Sequence, residues 1–168
     1  MSERLTNNWT PTAAEAFGVS GLKGDRGEQF MCEVYDDWGW EYEQHPASFQ
    51  HQVGGVDFSF RKPTWSNFYT CDVKANVDPF GNFFVETDDA GWLFNPKKRS
   101  DRIWHVNPDT GWMAWYGRAD MKHYIMSIGM QNTGLLRISA KDKIDFITRR
   151  RHHMRVDKKP MFSDDIPF

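Results

Sequence analysis

The chain contains three tripeptides of the form acid, any residue, lysine: Asp72-Val73-Lys74, Asp120-Met121-Lys122 and Asp157-Lys158-Lys159. Asp120 falls on a predicted helix and Asp157 in a basic tail; only Asp72 sits in a strand-like run, Phe68 to Lys74. Side chains alternate across a strand, so Asp72 and Lys74 share one face and Cys71 and Val73 take the other. A second acid, Asp57, lies in Val56-Asp57-Phe58-Ser59-Phe60, with Val56, Phe58 and Phe60 pointing the opposite way. An adjacent antiparallel strand would bring Asp57 close to Asp72. Charges in such apolar, aromatic runs are costly to bury unless something pairs with them. The residue types suit Mg²⁺-assisted phosphodiester chemistry. Mg²⁺ takes one or two carboxylates plus waters and substrate phosphate, and it acidifies a bound water. A lysine beside it positions the nucleophile and stabilises negative charge. Glu28, early on a predicted helix, adds an acid able to bind a second metal or hold a metal-bound water. The competing reading is a buried Asp–Lys pair that only fixes the sheet, with Glu28 an ordinary helix-start acid favoured by the dipole.

Periodicity supplies the elements that must position these residues. Phe30, Met31, Val34, Tyr35 and Trp38 fall on one stripe and predict a helix from about Asp25 to Trp38, ended by Gly39. Strand-like stretches follow at Glu41–Gln44, Phe49–Val53, Val56–Arg61 and Asn67–Lys74, with a turn around Pro63. Another strand is expected at Asn82–Thr87, and Arg102–Val106 with Gly111–Tyr116 read as a hairpin. A helix over Ala119–Ser127 and a short strand, Leu135–Ile138, come next. Ser139-Ala140-Lys141-Asp142 is a capping-box pattern opening a last helix to about Arg150. Residues 1–20 read as a loosely held arm and 137–168 as a basic C-terminal helix and tail. Helix, strands, then helix predicts an α/β fold, or α+β, with a mixed central β-sheet flanked by helices. A length of 168 residues fits one domain.

Gly27-Glu28, Gly55-Val56-Asp57 and Asp72-Val73-Lys74, on a helix, a hairpin and a strand in that order, resemble the PD-(D/E)XK nuclease superfamily. Its fold is restriction-endonuclease-like. The resemblance spans roughly residues 24–87, and Gly81-Asn82-Phe83-Phe84-Val85-Glu86 is similar to the segment after the catalytic strand in some phage and bacterial members. Val56 stands where the family pattern has proline. The resemblance implies a metal-dependent endonuclease acting on DNA and leaving 5′-phosphates, with Mg²⁺ as cofactor and Mn²⁺ as a substitute. It implies that Asp57, Asp72 and the Val73 backbone carbonyl hold the metal. Lys74 would orient or activate the attacking water, and Glu28 would assist catalysis and stand as a further ligand candidate. Glu86 is either an outer acid near the metal or an edge-strand surface charge. A homodimer is compatible with so small a nuclease core.

Net charge is −2, but from Arg137 to Lys159 nine Lys or Arg face three Asp, a local +6 that leaves about −8 elsewhere. Such a segment suits phosphate contacts to DNA through Arg149, Arg150, Arg151 and Arg155, or else a solvated terminal helix. Trp92, Trp104, Trp112, Trp115 and Tyr116 suit base or sugar stacking, though such rings more often pack cores. Two rival readings follow: a non-catalytic nucleic-acid-binding module of the same fold, and an aromatic-surface carbohydrate-binding protein. The first leaves the intact Asp57, Asp72 and Lys74 unexplained, and the second leaves Asp72 and Lys74 without purpose. His152-His153 has no partner at ligand spacing, and His45 and His51 are isolated. The glycine-rich stretch 21–27 lacks the Gly-Lys-Ser/Thr ending of a nucleotide-binding loop. Cys32 and Cys71 make neither a disulfide framework nor a zinc motif, as expected of a reduced cytoplasm, the host's if the chain is phage-encoded. No apolar run reaches the ~18 residues of a membrane span, and the polar N-terminus does not read as a secretory signal.

Overall fold

Apolar residues at alternate strand positions, on both faces, require a sheet covered on both sides. The computed structural model describes residues 13–46, 54–148 and 154–158. Along the chain it has α1 (Ala13–Trp38), β1 (Glu41–Gln44), β2 (Phe58–Arg61), β3 (Tyr69–Lys74), β4 (Phe83–Glu86), β5 (Arg102–Val106), β6 (Trp112–Gly117), α2 (Arg118–Ser127), β7 (Leu135–Ile138), α3 (Ala140–Thr148) and β8 (Met154–Lys158). Six strands form one mixed sheet in the order β1-β2-β3-β5-β6-β8. Its β3–β5 pair is parallel and the other pairs are antiparallel. β4 and β7 pair with each other in a separate two-stranded ribbon.

Alternation assigns the layers. Phe58, Phe60, Cys71, Val73, Trp104, Val106, Met113 and Trp115 face α1 and pack on its Phe30, Met31, Val34 and Tyr35. Ile103, Ala114 and Tyr116 face the other way, into a core with Phe83 and Val85 of β4, Met121 and Ile125 of α2, Ile138 of β7 and Phe146 of α3. The protein is therefore a mixed α/β fold whose central sheet is flanked by helices. Tyr35 anchors the first core: its ring stacks on Phe60 at 5.5 Å between centroids, and its hydroxyl lies 3.4 Å from Cys71 Sγ. α1 meets β3 closely at Gly27, where a Cβ would stand 3.2 Å from that of Ala75. Glu28 follows at once, so the close contact also delivers a carboxylate to the sheet. No helix among the described residues is long and apolar enough to cross a membrane.

Several boundaries differ from the sequence expectation. α1 begins at Ala13, so residues 13–20 of the expected arm are helical. Gly18, Gly21, Gly24 and Gly27 lower helix propensity through that stretch and hide its periodicity. The expected strand Phe49–Val53 lies outside the described residues. β2 begins at Phe58, so Asp57 precedes the strand and is not within it. The capping box is present: Ser139 N–H donates to Asp142 Oδ2 at 2.9 Å and Asp142 N–H to Ser139 Oγ at 3.3 Å. The basic C-terminal region is not one helix and tail. After α3, residues 154–158 form β8, an edge strand on β6 with Arg155 opposite Trp115.

Phe60 is fully buried. Phe60→Ala should cost about 3–5 kcal/mol, the usual range for a truncated core ring. Leu135→Ala, at a side chain 52% exposed, should stay within about 0.5 kcal/mol. Urea titration with an unchanged slope would establish both values; comparable losses at the two positions would mean the core is drawn wrongly.

Candidate active site

The site forms where β2 and β3 part. Phe58 opposite Cys71 is the last pair of that ladder. One more backbone bond follows, Asp57 N–H to the Cys71 carbonyl at 2.8 Å, while His45 N–H holds the Asp57 carbonyl at 2.8 Å. The next β3 amide facing the gap belongs to Val73. Its N–H donates to the Asp57 side chain, 2.8 Å from Oδ2, so a carboxylate continues the ladder where backbone has left. N–H and C=O of one strand residue leave on the same side, so the Val73 carbonyl faces this gap too.

Asp72 projects from the opposite face to Cys71 and Val73, as alternation predicts, and is 4% exposed. Lys74 Nζ lies 3.0 Å from Asp72 Oδ2 and 5.3 Å from the Trp92 ring centroid. Gly55 brings the preceding turn across Asp72 at φ +67°, where a Cβ would meet Lys98 Cδ at 3.0 Å and Asp72 Oδ2 at 3.5 Å. The structure thus brings Asp57, Asp72 and Lys74 together, with Glu28 beside them. Glu28 Oε1 accepts a hydrogen bond from Gln44 Nε2 at 3.0 Å.

Two acids face one lysine. Burial, and then the Asp72 carboxylate, push Asp57 from 3.8 up to about 8, against the opposing Val73 N–H; Glu28 adds a smaller push, and Asp72 is near enough to hydrogen-bond the protonated form. Burial also raises Glu28, with Asp25 and Asp72 adding and Gln44 opposing. Burial alone would lower Lys74, but Asp72 first, then Asp57 and Glu86, hold it above its ordinary value. The lysine therefore keeps its proton and balances Asp72, while Asp57 carries a proton of its own near neutral pH.

Two carboxyl groups, with the Val73 carbonyl facing the same gap, are a hard-oxygen donor set suited to a divalent ion that keeps several of its waters and takes the place of the Asp57 proton. It is not a closed cage: among the described residues no group of three or more His, Cys, Asp or Glu is gathered tightly enough to hold a metal alone. Asp57, Asp72 and the Val73 carbonyl are the groups that could hold such an ion; Glu28 is tied to Gln44.

The remaining expected residues are placed differently. Glu86 lies on the β4–β7 ribbon, and its Oε1 accepts the Trp92 N–H at 3.1 Å. It fixes the loop whose indole lies against Lys74, and its charge reaches that lysine. Arg155 lies on β8, stacked over Trp38 at 4.3 Å and paired with Asp157. Arg149, Arg150 and Arg151, like His51, His152 and His153, lie outside the described residues. His45 Nε2 is 2.8 Å from Ser59 Oγ. Trp92, Trp104, Trp115 and Tyr116 are buried, so they offer no aromatic surface for carbohydrate.

Gln44, Trp92, Lys98 and Arg118 are neighbours of the site that spacing did not reveal, because they arrive from β1, the β4–β5 loop and α2. His105, directly opposite Lys74 across the β3–β5 pair, is fully buried. Its Nδ1 is 2.6 Å from Asn76 Oδ1 and its Nε2 2.7 Å from the Tyr116 hydroxyl. Burial first, and then Lys74 and Lys143, hold it well below its ordinary pKa, so a neutral imidazole floors the site.

No protein-family model matches the chain, and no curated protein matches it. Among solved structures, a bacterial homing endonuclease is similar over 74% of this chain and 80% of its own, with 15% identity and a TM-score of 0.45.

The raised Asp57 gives a signed prediction. A carboxyl that binds its proton more tightly folded than unfolded contributes most below its ordinary 3.8 and loses that contribution as pH rises through about 8. Metal-free wild type should therefore lose melting temperature relative to Asp57→Asn between about pH 4 and about pH 8. Parallel melting curves for the two proteins across that window would disprove the shift.

Proposed function

We propose that this chain is a metal-dependent nuclease of the PD-(D/E)XK type, hydrolysing DNA phosphodiesters as an endonuclease. The observation that carries it is the convergence of Asp57, Asp72 and Lys74 at the parting of β2 and β3, two acids to one lysine. Asp57, Asp72 and the Val73 carbonyl would hold Mg²⁺, or Mn²⁺ in its place, which supplies Lewis-acid polarisation and an acidified water. Lys74, kept protonated by Asp72, donates to the attacking water or to the phosphate oxygens and stabilises charge building there. It acts as donor and not as base. Trp92 covers one side of the ammonium, keeping it aimed and partly dry. Glu28, held by Gln44, assists from outside the pair. Hydrolysis joins a water oxygen to phosphorus and breaks the P–O3′ bond; the leaving oxygen takes up a proton, giving a 5′-phosphate and a 3′-hydroxyl. Cutting both strands of a duplex calls for two such centres, so the reading includes a homodimer. The cytoplasm, where Cys32 and Cys71 stay free thiols, is its natural setting.

The test is cleavage of supercoiled, linear and four-way-junction DNA with Mg²⁺, Mn²⁺ or EDTA. Lys74→Ala should lose about a hundredfold or more in rate while still binding DNA. Asp72→Asn should weaken metal binding, and excess Mn²⁺ should restore part of its activity but none to Lys74→Ala. Wild type inactive on every substrate, or both variants cutting at the wild-type rate, would refute the assignment.

A further inference from the structure

Where β5 begins and α2 begins, a second cleft of about 350 Å³ lies that the proposed hydrolysis does not use. Arg99, Arg102, Arg118 and Lys122 line it, against Asp101 and Asp120, a positive balance in a chain of net charge −2. Asp101 is engaged: its Oδ2 accepts both the Thr70 N–H and the Thr70 hydroxyl at 3.1 Å. Two groups lining the cleft are not. Ser100 Oγ and Arg118 Nε are buried without a hydrogen-bond partner among the described residues, and Ser100 is 4% exposed. Arg118 Nη2 donates to the Asn95 carbonyl at 2.9 Å, which fixes the guanidinium while leaving Nε unmatched. No side chain caps the start of α2, but Asp120 stands in its first turn and the Arg118 N–H donates to the Asp101 carbonyl at 2.9 Å.

Buried donors are rarely left unmatched, and a guanidinium least of all. A serine hydroxyl and a guanidinium Nε–H beside Arg99, Arg102 and Lys122 are the donors and cations that an oxyanion takes. We infer that this cleft binds a phosphate of the nucleic-acid backbone, on the strand being cut and near the scissile phosphate. The inference rests on the nuclease reading for its substrate. The two sites share a seam: Arg99 N–H donates to the Gly54 carbonyl at 2.7 Å, the next residue approaches Asp72, and Asp72 acts on the charge of Arg118. A phosphate seated here holds the strand in register while Asp72 and Lys74 work on its neighbour. Arg118 and Ser100 are positioning residues.

Binding is read on the full chain with a fluorescent duplex oligonucleotide in EDTA, across a range of salt, so that cleavage plays no part. Arg118→Gln and Lys122→Gln should each weaken binding about threefold to tenfold and flatten the slope of log affinity against log salt by about one. Lys97→Gln, outside the cleft, should change neither. Melting temperature identifies a variant that merely misfolds, and Lys122→Gln, at a half-exposed helix position, serves if Arg118→Gln does. The Nε–Hε NMR resonance of Arg118, assigned by its loss in Arg118→Gln, should move on adding inorganic phosphate and not on adding chloride at equal ionic strength. Equal binding of 5′-phosphate and 5′-hydroxyl duplexes supports a backbone phosphate; tighter binding of the 5′-phosphate form overturns that in favour of a strand end. Folded variants with wild-type affinity and slope, and an Arg118 resonance indifferent to phosphate, would show that the cleft is only solvated. Failure of the nuclease reading looks different: no cleavage by wild type with Mg²⁺ or Mn²⁺ while these binding results stand.

Discussion

The Asp57 carboxylate standing in for a strand at the Val73 amide is the contact on which the site depends. β2 has to leave β3 for a gap to exist, and a departing strand strands the next amide on β3. A backbone N–H left unpaired in that half-buried position is costly. Asp57 satisfies it and in doing so brings a carboxylate against Asp72. The hydrogen bond that closes the sheet therefore also creates the electrostatic conflict. Burial and Asp72 raise Asp57 far more than the Val73 N–H lowers it. With one lysine for two acids, Asp57 escapes an unbalanced buried charge only by holding its proton.

The surrounding layers make that conflict tolerable by being rigid. Phe58, Phe60, Cys71 and Val73 lock one face of β2 and β3 to α1 through Tyr35 and its aromatic neighbours. On the other face His105 is clamped between Asn76 and Tyr116 and stacked on Phe83 at 4.1 Å. A charged imidazole opposite Lys74 would repel it; burial keeps the ring neutral, so the lysine answers only to carboxylates. Glu86 works from a different sheet. By holding the Trp92 amide it fixes an indole against Lys74, and its own charge adds to the field that keeps the lysine protonated.

Much of this was legible in the sequence because it depends on strand alternation, which is local. The shared face of Asp72 and Lys74, the opposite face of Cys71 and Val73, and the mixed sheet with helices all follow from a period of two against one of 3.6. What was not legible depends on long-range placement or on glycine. The glycines at every third position from Gly18 to Gly27 conceal the first half of α1, yet the last of them is what lets the helix touch β3. β8 was hidden by its charges: Arg155 and Asp157 read as tail, but an edge strand tolerates charge, and the guanidinium of Arg155 stacks on Trp38. Gln44, Trp92 and Arg118 carry no motif of their own; they matter through what folds against them.

The protonation states also separate the roles of the acids and the lysine. Lys74 is held above its ordinary pKa by Asp72, so it cannot accept a proton from water near neutral pH and can only donate hydrogen bonds. Asp57, near 8 without a cation, retains its proton and accepts positive charge only by releasing it. Glu28 is raised by burial and by its acidic neighbours, yet Gln44 holds one of its oxygens and leaves the other uncommitted in the observed contacts. Burial thus leaves Glu28 a more basic carboxylate than usual, steadied on one side. The acid nearest the amide holds a proton, and the acid beside the lysine keeps that lysine charged.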